Sequence, residues 1–526
     1  MVPSLVHRGK FSLLYDLAFT SDKIDSTIPF DIEEKLLPFQ RDGVRFILQH
    51  GGRVLLADEM GLGKTLQAIA VTSCIRESWP VLILCPSSLR LHWASMIHQW
   101  LRVEASDILV VLSQSSSSNK NGFNIVSTMT KKDIKLDGMF NIISYDSVTK
   151  LQHTLMSSDY KVVVADESHF LKNAQAKRTM ASIPILQKAQ YAILLSGTPA
   201  LSRPIELFKQ LEALYPDVYS RVKDFGERYC KGGVFGTYQG ASNLEELHTL
   251  MKTTVMIRRL KKDVLTELPM KRRQQVFLDL GEKELKNTKA IYQELEIIKN
   301  NIKSSQSKEE VDSLKFKEKH LLNKMYTESA EAKIPAVIDY LGTVIEAGCK
   351  FLIFAHHQPM VEAIHQFLIK KKVGSIRIDG STNASARQSL VADFQEKESI
   401  KAGLLSIKAG GVGLTLTAAS TVIFAELSWT PGDLIQAEDR AHRIGQVSSV
   451  NVYYLLANYT IDDIIWDAVQ NKLENLGQVL DGEESSMEVA RNSAITISSK
   501  QRTLDSFMKR CNSPNGSEAK SKCPRF

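Results

Sequence analysis

An α/β architecture follows from the sequence: two lobes of parallel sheet flanked by helices, with helical protrusions and a disordered C-terminal tail. Three observations predict it. Short apolar runs rich in Val, Ile and Leu recur in the first 200 residues and again from residue 350. Each is closed by a polar or glycine-rich turn, the texture of buried parallel strands with helical crossovers. A charged, helix-like stretch separates the two sets, and a length of 526 residues suits two large units with appendages.

In chain order, residues 1–30 read as an N-terminal extension and 31–200 as the first lobe. Its strands are Arg53–Ala57, Val81–Cys85, Phe140–Ser144, Lys161–Ala165 and Tyr191–Leu195. Ser113–Asn121 is a Ser/Asn stretch that reads as an exposed loop. Residues 201–333 form a helical insertion and linker, and Lys299–Lys333, dense in Lys, Glu and Ser, reads as amphipathic helices on a protrusion. The second lobe, 334–480, carries Lys350–Ala355, Ser375–Asp379, Ala402–Ser406, Thr421–Ala425 and Val450–Leu455. Residues 481–526 form a polar, basic tail.

Composition excludes several classes. No uninterrupted apolar stretch is long enough to span a bilayer, and the first residues lack the apolar core of a secretory signal. The six cysteines form no CxxC pair, which argues for a reducing compartment without disulfide scaffold or structural zinc. The net charge of +7 resides mostly in the tail: Lys500–Phe526 holds seven Lys/Arg against two Asp/Glu, leaving 59 basic and 57 acidic residues elsewhere. A nucleic-acid path through the body must therefore be a local patch.

Asp58-Glu59-Met60-Gly61-Leu62-Gly63-Lys64-Thr65 follows a predicted strand and opens an apolar helical pattern. Phosphate binding needs that context. Glycines let backbone N–H groups curl around a phosphate, the helix N-terminus adds positive dipole, Lys64 neutralises charge, and Thr65 is suited to Mg²⁺. The strict pattern has glycine where this chain has Asp58. About 100 residues later Asp166-Glu167-Ser168-His169 ends another strand. Adjacent carboxylates at that edge suit one to hold Mg²⁺ and the other to orient an attacking water. Ser196-Gly197-Thr198-Pro199 closes the next strand, where a small polar turn could sense the terminal phosphate. Arg440 and Arg443 stand three apart on one helical face, a spacing suited to reaching a phosphate across a cleft. Spacing alone favours an ordinary exposed basic helix and leaves open which arginine would carry such a role.

The order of Phe39-Gln40, Asp58–Thr65, Asp166–His169, Leu195–Pro199, Gly410–Thr415 and Gln436–Gln446 resembles the superfamily-two DNA-dependent ATPases of the Swi/Snf type. The resemblance covers roughly Leu36 to Trp466, and Asp58 is ordinary in that family. It implies two RecA-like lobes, ATP as substrate and Mg²⁺ as cofactor. Gln40 would read adenine, and Asp58, Glu59, Met60, Gly61, Leu62, Gly63, Lys64 and Thr65 would line the nucleotide. Thr65 and Asp166 would hold the metal, with Glu167 as catalytic base and Arg440 and Arg443 as arginine fingers. His169, Ser196, Gly197, Thr198 and Gly413 would couple the lobes.

Partners follow from local features read beside that resemblance. Arg258, Arg259 and Lys261 lie in a basic segment similar to one that runs beside duplex DNA in this family, with Lys271-Arg272-Arg273 just after. Ser87 and Ser88 follow a strand where hydroxyls and amides can grip a phosphate backbone, and Trp429 reads equally as a stacking residue or as a core or interface tryptophan. Pro86–Arg90, Asp166–His169, Phe354–His357 and Phe424–Leu427 resemble the annealing-helicase branch, most of all its zinc-finger members with an appended nuclease. No zinc-ligand cluster or His-Asn-His nuclease signature follows Leu480. In the tail, Gln501, Leu504, Phe507 and Met508 resemble the peptide that docks on the sliding clamp PCNA, with Met508 in place of the last aromatic. The expected function is a nuclear ATP-dependent DNA translocase that rewinds DNA and remodels stalled replication forks. Rival readings are a nucleosome-remodelling ATPase and a catalytically idle scaffold for DNA and PCNA.

Overall fold

The computed structural model describes residues 28–112, 122–128, 134–231, 238, 240–305, 307–410, 413–483, 487 and 489–491. The Ser113–Asn121 stretch and the Gln501–Met508 motif lie outside the described residues.

Lobe 1 is built on eight strands: β1 (Arg53–Leu56), β2 (Val81–Cys85), β3 (Ile108–Leu112), β4 (Asn124–Ser127), β5 (Phe140–Ser144), β6 (Val162–Asp166), β7 (Tyr191–Leu195) and β8 (Met256–Ile257). They run β4-β3-β5-β2-β6-β7-β1-β8, every pairing parallel. Successive strand residues point to opposite faces, so each strand feeds two cores. Leu55, Leu82, Leu84 and Val163 pack on one side; Val54, Leu56, Val81, Ile83 and Val162 pack on the other. Burying each such side chain contributes about 1.5–3 kcal/mol. That two-sided burial is why the runs read as continuous rather than alternating.

Lobe 2 repeats the plan with β9 (Lys271–Phe277), β10 (Phe351–Ala355), β11 (Gly374–Ile378), β12 (Ile400–Ser406), β13 (Thr421–Phe424), β14 (Val450–Leu456) and β15 (Ala490–Arg491). The order is β11-β12-β10-β13-β14-β9-β15, again all parallel. Ten of the fifteen strands coincide with predicted runs within two residues at each end.

The expected boundaries move. Lobe 1 does not end at residue 200: β8 pairs with β1, and helices Phe208–Leu214 and Leu244–Thr254 add Leu211, Leu247 and Met251 to its core. Lobe 2 begins at β9, which lies between β14 and β15. The protrusion is a hairpin of two helices, Glu282–Ser304 and Lys308–Glu346, closed by Ile291, Leu295, Ile298, Leu321 and Met325. At 39 residues the second helix is about 58 Å long. The region after Leu480, expected to be tail throughout, contributes β15 and the buried Met487 to lobe 2.

One helix belongs to both lobes. Ile461–Leu480 starts on a Thr460 cap, whose hydroxyl accepts from Asp462 N. It packs Ile465, Trp466 and Val469 into lobe 2, then Leu476, Val479 and Leu480 into lobe 1. Among the described residues, no helix is long and apolar enough to cross a membrane.

Candidate nucleotide site between the lobes

Parallel strands all end on one edge, and the loops gathered there carry the site. In lobe 1 these are the phosphate loop after β1, the Ser87–Leu89 turn after β2, Asp166-Glu167 at the end of β6 and Ser196–Thr198 after β7.

The loop runs into helix Lys64–Cys74 through Gly63, which is left-handed at φ +76°; Gly61 is at +85°. L side chains rarely adopt either conformation. A Cβ at Gly63 would stand 2.4 Å from Gln40 Nε2. Gln40 is buried against the loop, donating to Leu62 O (3.1 Å) and accepting from Leu37 N (3.0 Å). Lys64 Nζ donates to Asp58 O (2.7 Å) and Glu59 O (3.2 Å). Burial pushes its pKa down, opposed by Glu167, Asp58 and Asp166. Thr65 is half-buried in the first turn, while Met60 and Leu62 are buried under the loop.

Asp166 Oδ2 accepts from Trp93 Nε1 (2.8 Å) and Oδ1 from the Glu167 amide (2.9 Å), while Tyr145 OH donates to Asp166 O (2.8 Å). Burial, then the Glu167 charge, hold the Asp166 carboxyl up at about 7, against Trp93 and Lys64. Glu167 sits at φ +50°, unusual for a residue with a side chain. Burial raises its carboxyl too, opposed by Lys64 and Arg440. Its Oε2 is buried without a hydrogen-bond partner among the described residues. His169 Nδ1 lies 3.1 Å from Ser196 Oγ and 3.4 Å from Glu167 Oε2. Burial drives this histidine down to about 3, so it is neutral. Ser196 Oγ also accepts from Thr198 N (3.2 Å). Gly197 lies directly on the phosphate loop: a Cβ there would be 2.2 Å from Met60 Cγ and 3.2 Å from Lys64 Nζ.

Lobe 2 closes over this surface. A Cβ at Gly61 would stand 2.7 Å from Arg443 Cβ and 3.3 Å from Arg443 Cα. Gln436 Nε2 donates to Thr198 Oγ1 across the cleft (2.9 Å). Gly413 (φ +69°) meets Leu89, and Gly432 meets Leu201. Arg440 is buried; desolvation and then Arg443 lower it to about 10, opposed first by Glu167. Arg443 Nη1 donates to Leu414 O (3.3 Å) and Thr415 Oγ1 (2.9 Å).

Arg258, Arg259 and Lys261, expected to face DNA, are instead paired inside, while Lys262 and Arg272 are exposed. Arg258 donates to Asp481 Oδ1 (2.6 Å), Ala57 O (2.8 Å) and Gly197 O (3.1 Å). Arg259 grips Asp58 and Gln67 and lies over the Phe39 ring. Asp58, expected to line the nucleotide, is thereby fully buried as the anchor of Arg259. Lys261 pairs with Asp439 (2.9 Å), and Lys271 and Arg273 pair with Glu438. Burying these charges is tolerable because each is paired and hydrogen-bonded. Ser87 is exposed and Ser88 half-buried, so that turn still faces outward. Trp429 is half-buried beside Tyr326, its carbonyl accepting from Lys472 Nζ (2.7 Å). Trp93 and Tyr145 join the site although neither stood out in the sequence, and Gln436, the first residue of the Gln436–Gln446 motif, joins it without having been assigned a role.

These residues fit a nucleoside triphosphate with its magnesium ion. Gly61 and Gly63 hold the left-handed turns of a phosphate-type loop ahead of Lys64, and the donors offered are a hydroxyl and a carboxylate, hard oxygens. Glu167 Oε2, buried without a hydrogen-bond partner among the described residues, is a further polar atom beside the loop.

Two parallel-sheet lobes with this loop, acidic pair and facing arginines define a helicase-like ATPase. The chain belongs to the SNF2-related family: the SNF2-related domain matches residues 39–331 and the helicase conserved C-terminal domain residues 332–445. It is 42% identical over 488 residues to the SWI/SNF-related matrix-associated actin-dependent regulator of chromatin subfamily A-like protein 1 of Xenopus laevis, covering 92% of this chain and 48% of that protein. It is 41% identical over 494 residues to the human DNA annealing helicase and endonuclease ZRANB3, covering 92% and 44%. The chain thus spans about half the length of the curated relatives it matches. Among solved structures, the Sulfolobus solfataricus SWI2/SNF2 ATPase core in complex with dsDNA is 25% identical, with a TM-score of 0.39 over 83% of this chain and 91% of that one.

Proposed function

We propose that the chain is an ATP-dependent DNA translocase with annealing-helicase activity, rewinding complementary strands and remodelling stalled forks in the nucleus. The observation that carries this reading is a lobe 1 site completed by lobe 2: Arg443 against Gly61, and Gln436 on Thr198. A site finished by a second body makes turnover depend on lobe closure, which is how hydrolysis is converted into movement.

In this reading the glycines admit the phosphates, and Lys64 at the helix N-terminus exchanges its loop carbonyls for phosphate oxygens. Thr65 and Asp166 would hold the magnesium ion, which would supply positive charge against that developing on the phosphates. Glu167 orients the attacking water and accepts its proton; its raised carboxyl is suited to that task. Arg440 and Arg443 supply positive charge to the transition state. Neutral His169 sits between Glu167 and Ser196, and Thr198 carries the turn's position to Gln436 in lobe 2. Ser87, Ser88 and Trp429 are the DNA contacts retained; Arg259 serves the frame of lobe 1, Arg258 joins that frame to Asp481, and Lys261 lies at the seam between the lobes. The Gln501–Met508 segment would tether the motor to PCNA.

The relatives named above support the annealing-helicase branch, one of them being described as a DNA annealing helicase. The test is strand annealing by the purified chain with Lys64→Ala and Glu167→Gln. Both variants should lose ATP turnover and ATP-dependent rewinding, and Glu167→Gln should still bind nucleotide. Rewinding that persists in both would refute the proposal.

A further inference from the structure

Lys261 lies in the stretch that links β8 of lobe 1 to β9 of lobe 2. It is 4% exposed, deeper than a lysine usually lies unless paired. Its contacts divide between the lobes. Its amide donates to Glu59 Oε2 (2.7 Å), and Nζ stands 3.7 Å from Glu59 Oε1, both in the phosphate loop. The same Nζ donates to His442 O (2.7 Å) and pairs with Asp439 Oδ1 (2.9 Å), on either side of Arg440. A Cβ at Gly61 would find Lys261 Cε at 3.6 Å and Arg443 Cβ at 2.7 Å. The lysine stem therefore fills the seam where the two lobes meet.

The surrounding charges separate Lys261 from its neighbours. Lys271 pairs with Glu438 (2.9 Å) and Asp439 (3.0 Å), and Arg273 with Glu438 (2.7 Å), all within lobe 2. These contacts keep Glu438 and Asp439 neutralised whether or not Lys261 is present. What Lys261 adds is the contact to Glu59. Parting the lobes at this seam would strand a buried ammonium with one of its two carboxylates, a cost that favours the closed arrangement.

We propose that Lys261 is a positioning residue that ties the phosphate loop to the Asp439–Arg443 segment, holding Arg440 and Arg443 in register with the nucleotide site. This rests on the reading of that site as one that turns over ATP. Nothing in it requires Lys261 to touch the nucleotide.

The test uses the full chain with Lys261→Met and Lys261→Arg. Methionine keeps the apolar stem and removes the charge. DNA-stimulated kcat should fall about 30-fold, the loss expected when charged groups shift by a fraction of an ångström. KM for ATP should stay within about 3-fold and the thermal midpoint within a few degrees, since the lobe 2 pairs remain. Arginine should restore about a third of the rate, because its planar fork reaches the same two acids. Wild-type kcat in Lys261→Met would overturn the proposal, as would kcat and KM worsening together in step with a lowered midpoint.

Hydrogen exchange gives a readout independent of turnover. Lys261→Met should speed amide exchange about 10-fold both in residues 58–63 and in residues 439–446. If wild-type protein hydrolysed no ATP while both segments loosened, the reading of the site would fail and the tether would stand. Loosening confined to one lobe would overturn the tether itself.

Discussion

Replacing Gly432 by alanine sets one methyl group where the lobes touch. The new Cβ would lie 2.4 Å from Leu201 Cδ2 and 3.4 Å from Leu201 Cα and Cβ. An ordinary carbon–carbon contact is about 3.8 Å, so the first of these falls short by about 1.4 Å. Leu201 is buried, and Glu206 Oε2 holds its amide at 2.7 Å, so the segment has little room to slide. Gly432 stands in the helix Pro431–Glu438, where alanine on its own favours the helix by up to about 1 kcal/mol. Any loss must then come from the lobes being held apart. A misplacement of about 1 Å can cost on the order of 100-fold in rate, which is about 2.7 kcal/mol in the barrier. Steady-state ATPase assays should find DNA-stimulated kcat lower by about 10- to 100-fold, with the affinity of lobe 1 for a fluorescent ATP analogue changed less than about 3-fold. Adding Leu201→Ala removes Cδ2, leaves the nearest atom at 3.4 Å, and should restore most of the rate. Full activity in Gly432→Ala, or no rescue in the double variant, would refute the reasoning that closure at this contact limits turnover.

Three further outcomes follow from the site and its frame. With the Asp166 carboxyl raised by burial, its ionised, metal-holding form gains population as pH rises, so turnover should climb with pH. Trp93→Phe removes a donor to that ionised form and should move the rising limb of the ATPase pH profile up by about one unit, worth about 1.4 kcal/mol; an unmoved limb would count against Asp166 as the titrating group. Lys333→Met should strand the buried Asp462, 2.7 Å away, and destabilise lobe 2 by about 3–5 kcal/mol in urea unfolding. Much of that loss should return with Asp462→Asn, since Asp462 also accepts from Ala457 N and an amide oxygen still can. A tail peptide containing residues 501–508 should bind purified PCNA and lose that binding with Phe507→Ala; equal binding by both peptides would remove the proposed tether.

Strands buried on both faces were legible because burial leaves a continuous apolar run. Val81–Cys85, Phe140–Ser144 and Tyr191–Leu195 were predicted with the ends they have. β9 was not, and for a physical reason. Its sequence, Lys271-Arg-Arg-Gln-Gln-Val-Phe277, is polar because two of its cations neutralise Glu438 and Asp439. The same ambiguity pointed Arg258, Arg259 and Lys261 at DNA, whereas the structure pairs them with acids of the chain. Charge alone does not say which anion it will meet, and the partners of Arg259 and Arg258 stand 201 and 223 residues away. The phosphate loop and the Asp166-Glu167 pair were easier to read, since flanking elements a few residues away define their context. What completes the site, Gln436 on Thr198 and Arg443 on Gly61, depends on how two lobes meet. No local pattern encodes that contact.

The most direct test of the account measures ATP turnover by the purified chain with forked, duplex, single-stranded and nucleosomal DNA in turn. A fork-remodelling motor should be stimulated most by forked DNA. Strongest stimulation by nucleosomes would favour the remodelling alternative, and turnover that ignores every DNA would contradict the claim that this closed two-lobed site drives movement on DNA.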